Sequence, residues 1–193
     1  MTDSTRRPAP DAVGDVIAGE PPVPVTVWHV PAAPQGATLS VALAERLIIN
    51  FTHWHELVLD LTVGEQVACA APTVERRYAR HRPGNLPSDV RPAALIVTGW
   101  PAGGIDAGAL LGDCAARLRP GGCVAVVFQA APLTVNQVLI GAARAAGLTY
   151  LQHIVAAHEL VGLSGPLTGD RKHLPVHTDV LIFASPVRRP VDV

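Results

Sequence analysis

Short, continuously apolar runs alternate with amphipathic segments along this chain, and no other feature limits its possible folds as strongly. The runs LVLDL, AALIVTGW, CVAVVF and DVLIFAS lack the regular polar alternation of a half-exposed strand. Such runs are typical of strands that are buried on both faces of a parallel sheet. Because amphipathic segments of helical length separate most of them, the sequence predicts an α/β fold with a mostly parallel sheet.

The segments between these runs carry helix signals. Ser40 can cap a helix in SVALAERLIINF, where the apolar residues form one stripe. Two further helices are predicted before and after CVAVVF, and Gly121 should end the first of them in a left-handed cap. A short helix after the first apolar run should be limited by Pro72, because proline interrupts a helix interior.

Both ends of the predicted sheet have their own signals. The last two predicted strands, LTYLQHIVAAH and DVLIFAS, are joined by a long Gly/Pro-rich loop without a helix. This connection predicts an antiparallel pair at the C-terminal edge of the sheet. Near the N-terminus, VTVWHV is rich in β-branched residues and predicts an edge strand or an ordered arm.

The length of 193 residues is enough for one ordinary domain, which we place at residues 25–187. Residues 1–24 are Pro-rich and predict a flexible tail, and residues 188–193 predict a second, short tail. The N-terminal region has no apolar core and does not predict a secretory signal, and no apolar run reaches the ~20 residues of a membrane span. The three cysteines form no CxxC motif, and we interpret them as thiols in a reducing cytoplasm.

The order of these segments resembles that of the DNA amino-methyltransferases, AdoMet-dependent enzymes that modify adenine N6 or cytosine N4. ELVLDLTVGE is similar to their motif I, usually VLDPFxGxGTT, and AALIVTGWPAG is similar to their catalytic loop. LLGDCAARLRPGGCVAVVF and the closing helix and strands also follow the family's order, so the resemblance covers most of residues 25–186. The resemblance implies a Rossmann-like, class I methyltransferase fold, and S-adenosylmethionine (AdoMet) is the family's cofactor.

The resemblance in motif I implies a cofactor site at Asp60, Thr62 and Gly64. The family has small residues where this chain has Glu65 and Gln66. Glycine at such a position lets the backbone approach the cofactor, so we expect the longer side chains to fill that space. Glu65 would also place a negative charge near the methionine carboxylate of AdoMet. We therefore interpret the cofactor site as vestigial and expect no cofactor.

The catalytic loop implied by the resemblance consists of Thr98, Gly99, Trp100 and Pro101. In the family this loop reads Ser/Asp-Pro-Pro-Tyr. Its polar residue accepts a hydrogen bond from the target amine, and its aromatic ring stacks on the flipped base. Gly99 has no acceptor side chain, and Trp100 stands one position early for the aromatic residue. We expect the loop to be inactive.

The interval between Asp60 and Leu95 is short for the implied fold, which places two further strand–helix units there. One such unit takes about 30 residues with its crossover, so the sheet should lack one or two units. In the family an acidic residue at the end of the second strand holds the ribose hydroxyls of the cofactor. Glu75 is the candidate for this role, although its Arg- and Pro-rich surroundings do not predict a strand.

The segment VERRYARHRPGNLP, residues 74–87, is predicted to be a surface excursion outside the sheet. Proline cannot donate to a strand ladder, and unpaired arginines are costly to bury. The basic and aromatic side chains of this segment could grip phosphate and stack on a base, or contact a protein partner. They are Arg76, Arg77, Tyr78, Arg80 and Arg82. The formal net charge of −1 gives no separate indication of nucleic acid.

Histidine pairs are the other constellation that could carry chemistry. His53 and His55 flank a tryptophan, and His173 and His177 are four residues apart in a Pro-containing loop. Neither pair has further ligands at a convincing spacing, so no metal site is predicted. His153 is predicted to be a structural or surface residue on a strand.

We interpret the chain as a catalytically inactive methyltransferase-like protein, a pseudoenzyme that serves as a binding or assembly module. Only 16% of its residues are charged, which predicts apolar surface that a protein partner or a second copy covers. Two alternatives stay open. One is an active AdoMet-dependent N-methyltransferase that acts on DNA, and the other is a nucleic-acid-binding module that uses the arginine cluster. No membrane association is expected.

Overall fold

The computed structural model describes residues 16–17, 23–87, 92–129, 133–158 and 177–187. The long Gly/Pro-rich loop with His173, the C-terminal tail and most of the N-terminal tail lie outside these residues. The strands are β1 (Val16–Ile17), β2 (Val23–Val30), β3 (Leu57–Leu61), β4 (Arg77–Arg80), β5 (Ala93–Gly99), β6 (Leu118–Gln129), β7 (Thr149–His158) and β8 (His177–Ala184). The helices are α1 (Val41–Phe51), α2 (Gln66–Thr73), α3 (Ala107–Ala115) and α4 (Leu133–Ala145).

All described strands form one eight-stranded sheet in the order β1-β2-β7-β8-β6-β5-β3-β4. Strands β4, β3, β5 and β6 are parallel, whereas β8 runs antiparallel to both β6 and β7. The predicted Rossmann-like fold with antiparallel C-terminal strands is therefore confirmed. The predicted N-terminal strand is β2, which pairs parallel to β7, and the two-residue β1 pairs with the start of β2 within the predicted tail.

The interval between β3 and β5 contains α2 and β4, so a single strand lies outside β3. The sheet is thus short on this side, as the interval predicted. Helix α2 runs one residue past Pro72, which stands in its last turn and so does not break the helix earlier.

Helices cover both faces of the sheet, and this explains why the central strands are continuously apolar. Leu95 and Val97 of β5 pack into the core cluster of α1 and α2, while Ile96 packs into the cluster of α3 and α4. All three side chains are fully buried. Burial of one such aliphatic side chain stabilises the fold by about 1.5–3 kcal/mol, so the two clusters supply much of the driving force.

At the helix ends the predicted Ser40 cap is confirmed, and the predicted Gly121 cap is wrong. The Ser40 hydroxyl accepts a hydrogen bond from the Leu43 backbone amide at 3.3 Å, and Gly147 follows the end of α4 with a φ of 77°. Gly121 also has a positive φ, but it does not cap α3. It lies inside β6, which begins shortly after α3. The Ala93 amide donates to the Arg117 carbonyl, so the chain already pairs with β5 at this point.

The prediction that residues 74–87 form a surface excursion outside the sheet is wrong. Arg77–Arg80 is β4, an edge strand whose partners on β3 run from Leu57 to Asp60. Both prolines of the segment come after the strand, so neither interrupts the ladder. An edge position also leaves Arg77 and Arg80 exposed, while the half-buried Tyr78 packs against the core. Because neither arginine of the strand is buried, the free-energy cost of burying an unpaired charge does not apply.

Candidate ligand-binding cleft

A cleft opens at the carboxyl ends of β3, β4, β5 and β6. The strand order reverses between β3 and β5, since β4 lies on one side of this pair and β6 on the other. Ligands of open α/β sheets bind at such a point. The cleft encloses about 890 Å³, a volume in the range of small-molecule sites. Residues 61–63, 80–83, 99–103 and 127–129 line it, together with the loop before α1.

Asp60, at the end of β3, uses its carboxylate to hold neighbouring parts of the protein together. Its side chain is fully buried. Oδ1 accepts hydrogen bonds from the Thr62 amide at 2.8 Å and from the Thr62 hydroxyl at 2.7 Å. Oδ2 accepts from the Tyr78 hydroxyl at 3.0 Å. Burial, with the adjacent Asp60 charge, raises the pKa of Tyr78 far above its usual range.

The loop after β3 is held by Arg80 from the end of β4. Its Nη2 donates to the Thr62 carbonyl at 3.2 Å and to the Gly64 carbonyl, and its Nη1 lies 2.7 Å from Glu65 Oε1. The hydrogen bond that Arg80 donates to the Glu65 carboxylate raises the pKa of Arg80. The guanidinium of Arg80 thus compensates the negative charge of Glu65. The expected effect of Glu65 on a cofactor carboxylate stays a prediction.

Gln66 folds back over Gly64 at the start of α2. A Cβ atom on Gly64 would lie only 2.1 Å from Gln66 Oε1, so no larger residue fits at position 64 without moving that side chain. Among the described residues Gln66 Oε1 is buried and has no hydrogen-bond partner. The long side chain of Gln66 thus occupies space directly beside Gly64.

Thr38, in the loop before α1, connects the two sides of the cleft. Its amide donates to the Val63 carbonyl at 3.1 Å, and its hydroxyl accepts from the Val63 amide at 3.0 Å. Its methyl group lies against the end of β5, where a Cβ atom on Gly99 would be 3.0 Å away. Thr38 therefore fills the place that an acceptor side chain at Gly99 would need.

The four residues of the implied catalytic loop are not equally placed. Gly99, Trp100 and Pro101 line the cleft, and Trp100 is half-buried with its amide bonded to the Val127 carbonyl at 2.9 Å. Thr98 is fully buried one residue earlier in β5 and does not line the cleft. Its hydroxyl lies 3.4 Å from the carbonyl of Gly99.

The arginine cluster is divided between the two ends of β4. Arg76 lies before the strand, where its Nε donates to the Thr52 hydroxyl at 2.8 Å, and Arg77 is exposed at the same end. Arg80 and Arg82 line the cleft at the other end. Six residues of extended chain span roughly 20 Å, so the structure does not bring the four arginines together.

The carboxyl end of β4 carries Arg80, His81 and Arg82, and all three line the cleft. Glu75 lies before the strand, at the opposite end of the sheet, with a φ of 57°. The assignment of Glu75 to the ribose hydroxyls of a cofactor is therefore wrong. Residues 77–80 were not recognised as a strand in the sequence, so the end of that strand was sought at Glu75. Among the described residues that line the cleft, none is acidic.

Among the described polar residues that line the cleft, sequence reasoning assigned no role to Thr38, His81 and Gln129. His81 and Gln129 directly follow or end strands, so correct strand bounds would have indicated them. Thr38 stands two residues before the helix cap, and only its contact with Val63 identifies it. No sequence signal marks that contact.

The described residues contain no group of three His, Cys, Asp or Glu side chains that could hold a metal ion. His53 and His55 are exposed in the loop after α1. His153 is buried on β7, where its Nε2 lies 2.9 Å from Asp179 Oδ1 of β8, which agrees with the predicted structural role. The same carboxylate has its Oδ2 3.5 Å from His177.

None of the helices that the structure describes is both long and apolar enough to cross a bilayer.

Solved structures similar to this chain are methyltransferases. A Haloferax volcanii methyltransferase in complex with the Trm112 methyltransferase activator has a TM-score of 0.56 and 13% identity, over 76% of this chain and 89% of its own. A methyltransferase from Pyrococcus furiosus has a TM-score of 0.51 and 13% identity, over 81% and 89%. TrmN from Thermus thermophilus has a TM-score of 0.52 and 18% identity, over 77% of this chain and 49% of TrmN.

At these identities the likeness shows the fold alone, and the chain has the class I methyltransferase fold. No protein-family profile matches the sequence. No curated protein matches it either.

Proposed function

We propose that this protein binds a ligand in the methyltransferase cleft without catalysing methyl transfer from AdoMet. The observation that carries the proposal is the end of β4, where Arg80, His81 and Arg82 line the cleft. A carboxylate is the group that would accept hydrogen bonds from ribose hydroxyls there. AdoMet also carries a positive sulfonium, and its entry into a cleft lined by arginine is opposed by like charge.

The catalytic side of the cleft supports the same proposal. A target amine needs an acceptor for its proton, and Gly99 has no side chain to provide one. Thr38 packs against that position, and the Thr98 hydroxyl is buried outside the cleft. Gln129, at the end of β6, also lines the cleft, but its side-chain amide lacks the negative charge of a carboxylate.

Calorimetric titration with AdoMet tests the proposal. We expect no saturable heat up to millimolar AdoMet, and the same for S-adenosylhomocysteine, which lacks the sulfonium charge. The second ligand separates the two causes, because binding of S-adenosylhomocysteine alone would assign the exclusion to charge. A micromolar dissociation constant for AdoMet would overturn the proposal.

One observation favours a second candidate, an active AdoMet-dependent N-methyltransferase acting on DNA. The cleft is open and has a volume sufficient for AdoMet, beside the retained Asp60 and Gly64. In this reading Asp60, Thr62 and Gly64 would position the cofactor, and the loop from Thr98 to Pro101 would face the target base. Transfer of a labelled methyl group from AdoMet to adenine N6 or cytosine N4 in single- or double-stranded DNA would establish this candidate.

We also propose that a protein partner or a second copy completes the assembly. The Haloferax volcanii methyltransferase was solved with a protein activator, which shows that this fold can support such a partner. In the described part of this chain the outer side of β2 pairs only at Val23 and Pro24, which leaves Val25–Val30 with a sheet edge open. An open edge of this length is a template for strand pairing.

A further inference from the structure

We infer that the cleft binds a nucleoside phosphate, with Arg82 and His81 at the phosphate and Trp100 against the base. The inference rests on the proposed function, since it takes the cleft as a binding site and names its ligand class. In this fold a side-chain acceptor is expected to bind the ribose hydroxyls at this strand end. Here side-chain donors would instead bind a phosphate on the ribose.

The charges of the lining residues support an anionic ligand. Arg80, His81 and Arg82 are the ionisable residues among the described lining residues. Arg80 is neutralised by Glu65 and bonded to two loop carbonyls, so it is committed to the protein. Arg82 is exposed, and its guanidinium has no partner among the described residues. Within the part of the chain that the structure describes, one uncompensated guanidinium therefore remains in the lining of the cleft. Guanidinium forms strong paired hydrogen bonds with phosphate oxygens.

The backbone holds Arg82 and His81 in place. The His81 amide donates to the Asp60 carbonyl at 3.0 Å, which continues the pairing of β3 and β4 by one residue. After Arg82 the chain turns, and the Asn85 amide returns to the Arg82 carbonyl at 3.1 Å. Gly84, in this turn, packs so closely on Ile105 that a Cβ atom would lie 2.8 Å from Ile105 Cδ1. The turn is therefore fixed against the loop after β5.

An apolar wall faces the cleft from the neighbouring strands. Leu61, Phe128 and Ile105 line it, and Trp100 offers a half-buried aromatic ring. The two-ring indole can stack on any nucleobase, because every base has a π face. A cationic end combined with an apolar, aromatic wall is the chemistry that recognises a base and a phosphate together.

Free nucleotides and single-stranded nucleic acid share this chemistry. Calorimetric titrations should therefore compare adenosine, adenosine 5′-monophosphate, adenosine 3′-monophosphate, inorganic phosphate and a five-residue oligoadenylate. We expect at least one of the two monophosphates to bind about tenfold more tightly than adenosine, the ratio expected for a charge-assisted hydrogen bond. Equal affinity of monophosphate and oligoadenylate would assign the site to free nucleotides, and tighter oligoadenylate binding would assign it to a strand.

Matched variants locate the site. Arg82→Ala should weaken monophosphate binding about tenfold, whereas Arg77→Ala should leave it unchanged. Arg77 is exposed at the other end of the same strand, so the two variants lose the same charge. Trp100→Ala should weaken binding of the monophosphate more than binding of inorganic phosphate.

Three results would overturn the inference. They are equal affinities for adenosine and both monophosphates, equal losses in the Arg82→Ala and Arg77→Ala variants, and no binding by any of the five ligands. Each is distinguishable from failure of the proposed function, which depends on AdoMet. Tight AdoMet binding would overturn the proposed function but not the inference about nucleotides. A titration that detects no nucleotide binding would overturn the inference but not the proposed function.

Discussion

Asp60 shows how a residue of a cofactor motif can have a purely structural set of contacts. Its two carboxylate oxygens accept three hydrogen bonds, from the amide and hydroxyl of Thr62 and from the hydroxyl of Tyr78. The Arg80 Nε lies 3.8 Å from Asp60 Oδ2. The motif-like Asp is thus explained by the folding of the loop, whether or not a cofactor binds. A buried carboxylate is stable only while these donors remain.

Removal of one donor tests this account. Tyr78→Phe keeps the ring in the core but takes the hydroxyl from Asp60 Oδ2. We expect the free energy of unfolding to fall by about 1–3 kcal/mol, measured by urea denaturation at pH 7. Tyr150→Phe is the control, because the Tyr150 hydroxyl has no hydrogen-bond partner among the described residues and its ring packs on Phe183. A similar small loss in both variants would contradict the role of Asp60.

The wild-type protein and the Tyr78→Phe variant should also differ in how their stability changes at alkaline pH. The pKa of Tyr78 is raised in the native state, so the native protein keeps the phenol proton after the unfolded chain has lost it. Stability from this group is present below about pH 10 and is lost as pH rises above it. Burial raises the pKa of Tyr150 to about 12, but that group is shared by wild type and Tyr78→Phe. The stability gap between these two proteins should therefore narrow above about pH 10, and a constant gap would count against the assignment.

At the scale of elements, β4 separates what the sequence could predict from what it could not. The buried strands β3, β5, β6 and β8 are recognisable because both faces are covered by helices, which requires continuous apolar runs. An edge strand needs no such run, and RYAR has four residues with two arginines. Its place in the sheet depends on pairing with β3, which is a long-range contact. Local patterns carry no information about that contact.

The same limit applies to the cleft. Of the residues that line the cleft, the sequence indicated Thr62 and the loop after β5, because they follow strand ends and have recognisable residue types. It could not indicate that Arg80 bonds the loop carbonyls or that Thr38 packs on Gly99, since both contacts join distant segments. It also suggested one arginine patch, whereas the extended strand places Arg76 and Arg77 at one end of β4 and Arg80 and Arg82 at the other.

A consequence for β4 is that its arginines should differ in their effect on stability. Arg76 bonds both the hydroxyl and the carbonyl of Thr52 at the end of α1, whereas Arg77 is exposed. Arg76→Ala should lower the free energy of unfolding by about 1–2 kcal/mol, and Arg77→Ala by less than about 0.5 kcal/mol, both measured by chemical denaturation. Equal losses would show that the Arg76 contacts do not stabilise the fold.

The whole molecule should associate with itself or with a partner protein. Val25–Val30 of β2 has an open outer edge in the described part of the sheet, and this stretch contains no Lys or Arg to discourage pairing. Light scattering coupled to size exclusion should therefore find a dimer or larger species at high micromolar concentration. Val27→Lys, at a position 55% exposed, should shift the protein toward monomer.

Ile49→Lys is the matched control for that variant, because Ile49 is 56% exposed on α1 and away from the sheet edge. A wild-type protein that stays monomeric and soluble under these conditions would contradict self-association. Equal dissociation by both variants would place the interface elsewhere than on β2.

We propose above that the cleft at the carboxyl ends of β3, β4, β5 and β6 binds a ligand but not AdoMet. A crystal structure of the protein grown with millimolar AdoMet tests it most directly. We expect Arg80 to keep its hydrogen bonds to the carbonyls of Thr62 and Gly64, with no AdoMet density beside Asp60. AdoMet bound beside Asp60, with Arg80 displaced and the ribose hydroxyls held at the end of β4, would contradict it.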